Sequence, residues 1–427
     1  MPSIKPFKGI IYNKKAIKDL AKVVAPPYDV IPPKMQDDLY KKHENNIVRL
    51  ILGKIKKTDD EKDNRYTRAK DFFESWLRKF ILIKDQQPAV YIYSQGYKFE
   101  DRSIERIGFI SLMELDFKNK KAILPHENTL KAPKMDRLNL MRMVKANLSP
   151  IFMLYEDKSR TINKLLEKFC KTQEPFIDIK IDGVRHRAWK LIDKNTIEII
   201  KAFLDKKNIF IADGHHRYET ACNYAAEIEN SVAPQELKDN SKYLMAYFCE
   251  LDDETLTILP THRLIKDIGN LNKEDILRKL EKFFIVEDAL SSKRLLLRLR
   301  ALKGYHAFGV YLGEGAFFVI RLKKDNLAEP FMGKNSKYWT ALDVAILHLF
   351  VIQNVLALRD EDDNIEFVKD APDAFRSVDS GKFKMAFFLN PTKVSQLKKV
   401  AEHGEKMPRK ATYFYPKPLS GIVINKF

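Results

Sequence analysis

Hydrophobic and polar positions along the chain follow two different periods, which predict both strands and helices. Apolar runs at 90–93 and 107–110 predict an antiparallel pair of strands. Apolar residues recur every three or four positions over 66–80, which predicts an amphipathic helix. Segment 273–322 predicts helix, strand, helix and then two strands that turn at 313–315. The pattern therefore indicates an α+β fold.

Further elements are predicted in the second half of the chain. Strand-like runs at 243–250 and 256–259 lie close together, which predicts a β-hairpin. A helix is predicted at 341–356 and a strand at 385–389. The segment 407–417 is basic and rich in aromatic rings, so we expect an ordered edge strand and not a disordered tail. The alternative is that this segment packs back over the site and brings Lys410 or Thr412 to phosphate.

Length and composition indicate a globular protein. The chain has 427 residues, 45% of them hydrophobic, which is enough for a large core in two or three structural units. No apolar stretch approaches the roughly 20 residues that span a bilayer, and the start lacks the apolar run of a secretory signal. Three scattered cysteines do not form a disulfide framework. We expect a cytoplasmic protein without a membrane partner, and the sequence does not predict its oligomeric state.

The net charge of +18 raises the question of nucleic acid, because basic proteins release counterions from phosphates on binding. The lysines of 273–282, however, alternate with acidic residues, a distribution that is typical of solvated helix faces. A basic surface would equally attract an anionic nucleotide. The charge pattern therefore argues against nucleic acid as the partner.

The strongest functional signal lies at 209–221, where an apolar strand passes through a glycine turn into a helix. A helix that begins at such a turn directs its first N–H groups and the positive end of its dipole toward the turn, where anions bind. An arginine adds a charged fork that suits phosphate. The candidate phosphate-binding residues are Gly214, His215, His216 and Arg217.

Asp213 is an acidic residue in this basic turn. A carboxylate here has three explanations: it binds a metal ion such as Mg²⁺, it orients a histidine, or it caps the helix while the histidines are solvated. Asp213 and His216, which can titrate, are also candidate catalytic residues.

A second segment, 123–127, places Glu127 directly after an apolar approach stiffened by a proline. Glu127 is a candidate general base, metal ligand or helix cap, and the residues alone leave these roles open. Weaker candidates for substrate binding are His126, Thr261, His262, Arg263 and Lys410. The alternative for 261–263 is a set of surface residues in a loop.

The pairing of Leu-Pro-His-Glu at 124–127 with Asp-Gly-His-His-Arg at 213–217 resembles the free-serine kinases of the ParB/sulfiredoxin-like superfamily. Over almost its whole length the chain also resembles domain-of-unknown-function family 1015. The segments that carry this second resemblance are 25–30, 125–129, 147–150, 212–218, 259–263 and 407–416.

The resemblance implies a mixed-sheet ParB/sulfiredoxin-like core with additional N-terminal and C-terminal α/β elements. It implies that Glu127 is the catalytic base and that the 213–217 turn holds nucleotide phosphates. The expected function is a kinase that uses ATP or ADP with Mg²⁺ and phosphorylates the hydroxyl of a small polar metabolite such as serine or a hydroxy acid. Two alternatives stay open: a metal-dependent phosphoesterase using histidine and carboxylate ligands, and a non-enzymatic nucleotide-gated or nucleic-acid-binding ParB-like protein.

Between Glu127 and Asp213 lie 85 residues, more than compact serine kinases have, so we expect an insertion near 155–200. The predicted organisation has four parts in chain order. These are an N-terminal α/β region at 1–105, the core at 106–265, a small α+β lobe at 266–340, and a C-terminal region at 341–427 that packs back on the core.

Overall fold

The structure is a computed structural model that describes residues 3–116, 122–129, 131–251, 254–358 and 364–427. The chain divides into two compact units. The first comprises Met1–Pro125, Thr129–Leu256 and Pro416–Phe427, and the second comprises His126–Asn128 and Thr257–Tyr415. The four predicted parts of the chain stay a prediction.

The first unit combines helices with a large sheet. Its strands are β1 (Ile4–Lys5), β2 (Ile10–Tyr12), β3 (Leu82–Lys84), β4 (Val90–Phe99), β5 (Arg102–Glu114), β6 (Ile123–Leu124), β7 (Ala146–Asn147), β8 (Ile151–Tyr155), β9 (Ile177–Ile181), β10 (Val184–Leu191), β11 (Ile209–Asp213), β12 (Tyr243–Glu250) and, at the chain end, β21 (Asn425–Lys426). Its helices are α1 (Pro33–Lys42), α2 (Val48–Ile51), α3 (Arg65–Arg78), α4 (Lys131–Val144), α5 (Thr161–Thr172), α6 (Lys194–Leu204), α7 (His215–Glu229) and α8 (Gln235–Ser241).

Over the described residues, the main sheet of the first unit has nine strands in the order β6-β11-β8-β12-β5-β4-β10-β9, with β1 also paired to β5. The pairs β6–β11 and β8–β12 are parallel and the other pairs are antiparallel. The sheet is therefore mixed, and the fold is α+β as predicted. Strand β11, which ends at the candidate phosphate turn, lies between β6 and β8.

Local sequence explains why these elements form. The predicted strands at 90–93 and 107–110 are confirmed as parts of β4 and β5, which pair along nine residues each. The predicted helix at 66–80 is confirmed as α3. Asn64 caps it by accepting hydrogen bonds from the N–H groups of Tyr66 and Thr67, and the residues it buries include Trp76.

The second unit contains the remaining elements. Its strands are β13 (Thr257–Leu259), β14 (His262–Ile265), β15 (Phe284–Asp288), β16 (Ala307–Tyr311), β17 (Phe317–Leu322), β18 (Ile365–Val368), β19 (Met385–Phe388) and β20 (Tyr413–Tyr415). Its α-helices are α9 (Lys273–Glu281), α10 (Ser292–Ala301), α11 (Lys337–Thr340), α12 (Asp343–Ala345), α13 (Ala371–Asp379) and α14 (Val394–Glu402). In the part that the structure describes, six strands form an antiparallel sheet in the order β15-β17-β16-β19-β14-β18, and β13 pairs with β20.

Several predictions for the second unit are confirmed. Segment 273–322 has the predicted order of elements, and β16 and β17 form a hairpin in which Gly313 and Gly315 have positive φ. The predicted edge strand in 407–417 is β20.

The predicted hairpin of 243–250 with 256–259 is wrong. Strand β12 pairs with β5 and β8, whereas β13 pairs with β20. All but the first residue of β12 is buried, which suits a strand with neighbours on both sides and not the arm of an exposed hairpin.

The predicted helix at 341–356 differs in its geometry. After α12 the chain continues as a π-helix over Ile346–Val355, and the N–H group of Leu356 donates to the carbonyl of Val351. Such segments occur frequently at functional sites. Of all the helices that the structure describes, none combines the length and the apolar character needed to cross a membrane.

Candidate functional site

The turn between β11 and α7 has the conformation that the glycine predicts. Gly214 has a φ of 98°, in the left-handed region. A Cβ atom at this position would lie 2.8 Å from Cγ2 of Ile151 and 2.9 Å from Nη2 of Arg217. A larger residue would therefore displace the arginine, so the glycine fixes both the turn and the position of the guanidinium.

Helix α7 begins at His215 and has 15 residues, which is long enough for a substantial dipole. Its N-cap residue is Gly214, which has no side chain to accept hydrogen bonds from the first turn. His215 is buried, whereas His216 and Arg217 are half-buried. The first turn of α7 can therefore present backbone amides and basic side chains to an anion.

Arg217 is held on two sides. It donates to Oδ2 of Asp213 at 2.8 Å and to the carbonyl of Pro150 at 2.6 Å. The other carboxylate oxygen of Asp213 lies 2.5 Å from Nζ of Lys417. Asp213 is thus occupied by two cations and does not cap α7, so the helix-cap explanation is wrong. The carboxylate instead positions two basic side chains.

Lys417 also lies 2.5 Å from Oδ2 of Asp29, so one ammonium group joins two carboxylates. Its side chain is only 8% exposed. Burial alone would lower the pKa of Lys417, but the charges of Asp213 and Asp29 outweigh burial and raise this pKa above its ordinary value of 10.5. The lysine is therefore a permanent cation in this cluster.

The backbone around Lys417 is fixed by buried polar groups of the sheet. The amide of Gln95 donates to the carbonyl of Lys417 at 3.1 Å, and Arg106 donates to the carbonyl of Pro416. The N–H group of Leu419 donates to the hydroxyl of Tyr93 at 3.3 Å. The chain end is thus anchored on both sides of the lysine.

Three of the segments that carry the family resemblance meet in this cluster of the first unit. Asp29 comes from 25–30, the Pro150 carbonyl from 147–150, and Asp213 and Arg217 from 212–218. Sequence reasoning did not single out Lys417. Two signals pointed to it: Asp213 is an acidic residue in an otherwise basic turn, and Lys417 stands between two prolines that restrict its backbone.

A second group of candidate residues lies in the second unit. Nε2 of His126 is 3.0 Å from the hydroxyl of Thr412. Oε1 of Glu127 accepts a hydrogen bond from the N–H group of Lys410 at 3.3 Å, and the Met407 N–H donates to the carbonyl of His126 at 2.8 Å. The structure therefore brings His126, Glu127 and Lys410 together.

Residues 261–263 lie in or beside β14 and are all buried, so the alternative of exposed loop residues is wrong. Arg263 has no exposed surface, and its guanidinium donates to His348 and to the carbonyls of Thr261, Arg409 and Lys410. Burial and then the charge of Arg263 lower the pKa of His262 to about 3. This histidine is therefore neutral near pH 7. Arg263 is buried, so it would affect a ligand by positioning the groups to which it donates.

Binding of Mg²⁺ is one of the three explanations for Asp213 in this turn. Both oxygens of this carboxylate are engaged by cationic side chains. Within the described ranges no three His, Cys, Asp or Glu residues form a group that could hold a metal ion. The cluster as it stands suits an anion better than a bare cation.

Comparisons with known proteins give one family and several distant structures. The profile of a protein family of unknown function, DUF1015, matches residues 4–345. No curated protein matches the chain.

The solved structures that resemble the chain do so at low identity. A conserved hypothetical protein from Pyrococcus furiosus is 14% identical with a TM-score of 0.34, and the match covers 74% of this chain and 94% of that protein. A free serine kinase variant in complex with ADP is 13% identical with a TM-score of 0.35, over 71% and 87% of the two chains. SbnI with a C-terminal truncation, from Staphylococcus aureus, is 10% identical with a TM-score of 0.33, over 73% and 85%. Scores of this size carry no functional argument, so function must be argued from the chain's own residues.

Proposed function

We propose that this chain, which belongs to the DUF1015 family of proteins of unknown function, transfers a phosphoryl group from a nucleotide to the hydroxyl of a small polar metabolite. The observation that supports this proposal is the turn from β11 into α7, where a left-handed Gly214 precedes an uncapped helix start and Arg217 is held beside it. Helix starts of this kind are anion sites.

Phosphoryl transfer depends mainly on alignment and on neutralisation of charge. Gly214, His215, His216 and Arg217 would hold the donor phosphates. Asp213 would keep Arg217 in place. Lys417 adds a cation that stays charged, because its pKa is raised by the two carboxylates that outweigh its burial.

Glu127 would take the proton of the acceptor hydroxyl, and this role stays a prediction. Glu127 is half-buried, and its carboxylate accepts a hydrogen bond from the backbone N–H group of Lys410. That contact orients the group. Mg²⁺ would enter with the nucleotide phosphates, since this ion usually binds proteins through only one or two carboxylates.

The test measures transfer of labelled phosphate from ATP or ADP to a panel of hydroxylated amino acids and hydroxy acids. Glu127→Gln should keep nucleotide affinity and lose transfer by roughly 10²–10⁴-fold, because it removes the base alone. Arg217→Ala should weaken nucleotide binding by about 2 kcal/mol, the scale of a charge-assisted contact. Lys273→Ala, on an exposed helix face, is the matched control and should change neither quantity.

Two results would contradict the kinase assignment. Hydrolysis of a phosphoester without any acceptor, together with weaker metal binding in Glu127→Gln, would indicate a phosphoesterase. Strong, salt-sensitive DNA binding that is unchanged in Arg217→Ala would indicate a nucleic-acid-binding protein.

A further inference from the structure

The second unit contains a cavity of about 260 Å³ that the proposed function has not used. Its lining includes Asn128, Trp339, His348, Phe367, Lys406 and Arg409. This volume lies just below the usual range for the sites of drug-sized ligands. A compact metabolite fits this space better than a whole nucleotide does.

The lining combines aromatic walls with positive charge. Trp339 is nearly buried, and its indole N–H donates to the carbonyl of Lys406 at 2.8 Å, which fixes the ring against the basic segment. Lys406 and Arg409 are cationic, and the described lining residues include no carboxylate. This chemistry favours a ligand with an anionic group and an apolar or planar body.

His348 supplies a polar group with a defined proton. Nε of Arg263 donates to Nε2 of His348 at 3.0 Å, so that nitrogen is the acceptor and the proton of the neutral ring lies on Nδ1. The ring also stacks on Phe367 with centroids 6.2 Å apart. His348 belongs to the π-helix, whose wider turn is a geometry that recurs at functional sites.

The cavity shares its wall with the Glu127 segment. Asn128 lines it, and the adjacent Glu127 accepts the Lys410 N–H while pairing with Met407 in a parallel bridge. Segment 407–410 therefore contacts both the cavity and the candidate base. Arg263 is a positioning residue for this wall, because it donates to the carbonyls at 409 and 410.

We propose that this cavity binds the acceptor, and that the acceptor is a small hydroxylated carboxylate with an apolar or planar body. Its carboxylate would contact Arg409 and Lys406. The role of the cavity as an acceptor site rests on the proposed function, whereas the binding of such a carboxylate does not. In the transfer, the acceptor oxygen bonds to the terminal phosphorus of ATP or ADP, the bond from phosphorus to the leaving nucleotide oxygen breaks, and the hydroxyl proton goes to Glu127.

Most of the lining lies beyond residue 345, where the match to the family profile ends. His348, Phe367, Lys406 and Arg409 all belong to this part.

The experiment measures binding by calorimetry on the full chain with phenyllactate, its neutral amide and L-serine as probes. Phenyllactate should bind at least about 10-fold more tightly than its amide, because only the acid engages the two cations. Arg409→Gln and Lys406→Gln should each weaken phenyllactate binding by about 10- to 100-fold. Lys334→Gln, an exposed lysine of the same unit, should leave it unchanged.

Kinetics separate this inference from the proposed function. If transfer occurs, Arg409→Gln should raise KM for the acceptor and leave KM for the nucleotide unchanged. Transfer to a hydroxy acid that is insensitive to both cavity variants would overturn the acceptor site and leave the kinase proposal standing. Charge-dependent binding of phenyllactate without transfer from ATP or ADP would uphold the site and overturn the kinase proposal.

Discussion

Replacing Lys417 by methionine should destabilise the first unit, because this lysine joins two carboxylates. Its Nζ lies 2.5 Å from both Asp29 and Asp213. Methionine keeps much of the apolar stem of the side chain and removes only the charge. The change therefore isolates the ionic contribution.

The loss of unfolding free energy depends on the contacts that each carboxylate keeps after the substitution. Removing one partner of a buried ion pair costs about 3–5 kcal/mol. Asp213 keeps its contact with Arg217 at 2.8 Å, and the side chain of Asp29 is 30% exposed, so water can solvate it. We therefore expect the lower end, about 3 kcal/mol of unfolding free energy.

The assay is urea unfolding followed by tryptophan fluorescence. Trp76 and Trp189 lie in the first unit, and Trp339→Phe silences the reporter of the second unit. In that background Lys417→Met should lower the unfolding midpoint by about 1–2 M urea, given usual slopes. Lys8→Met, at an exposed lysine of the same unit, should leave the midpoint unchanged. Adding Asp29→Asn to Lys417→Met should recover part of the loss, because one of the two negative charges that lose Lys417 is removed.

The pH dependence has a definite sign. The pKa of Lys417 is raised in the folded state, so its stabilising contribution is fully present below the ordinary value of 10.5 and is lost only as the pH rises from there through the folded pKa. The difference between wild type and Lys417→Met should therefore be constant from pH 7 to pH 10. A difference below about 0.5 kcal/mol, or one that vanishes in this window, would refute the reasoning.

Two further predictions concern the first unit. Gly214→Ala should cost about 1–3 kcal/mol of unfolding free energy for the positive φ, and it should also weaken nucleotide binding because it displaces Arg217. Gly183→Ala, at φ 79° with open space around it, should lower stability alone. Equal effects of the two substitutions on nucleotide affinity in calorimetry would contradict this prediction. Burial and then the charge of Arg106 lower the pKa of His186 to about 3, so its contribution is present above pH 6.5 and is lost as the pH falls toward 3, by about 2 kcal/mol at pH 5. His186→Gln should remove that part of the acid sensitivity, and parallel stability–pH curves for the two proteins would show that the histidine is not buried and neutral.

Elements whose conformation is determined by their local sequence could be predicted. Strands β4 and β5, helix α3 and the β16–β17 hairpin have strong periodicity or turn residues, and the structure has them where expected. The pairing of strands that are distant in the sequence was harder to predict. Strand β13 was assigned to its nearest neighbour in sequence, yet it pairs with β20, more than 150 residues away. Periodicity defines a strand, but it does not define its partner.

The same limit applies to the candidate site. The glycine turn, the start of α7 and the basic side chain that follows could be predicted, because these residues are consecutive in the sequence. The role of Asp213 could not, because its partner Lys417 is 204 positions away and comes from the last segment of the chain. Without the contact to Lys417, the carboxylate of Asp213 is equally compatible with a metal ligand or a helix cap.

The residues that carry the family resemblance separate by unit, and this separation has a consequence for function. The segments at 25–30, 147–150 and 212–218 contribute to the cluster around Asp213 in the first unit, while most of the residues in the segments at 125–129, 259–263 and 407–416 lie in the second unit, around Glu127. Each group is held by ion pairs or hydrogen bonds within its own unit, so under the proposed function each would bind its ligand independently. Variants of Arg217 should therefore act on nucleotide affinity, and variants of Arg409 on acceptor affinity. Under the proposed function only transfer would require both groups, and that requirement would distinguish a kinase from two unrelated binding sites.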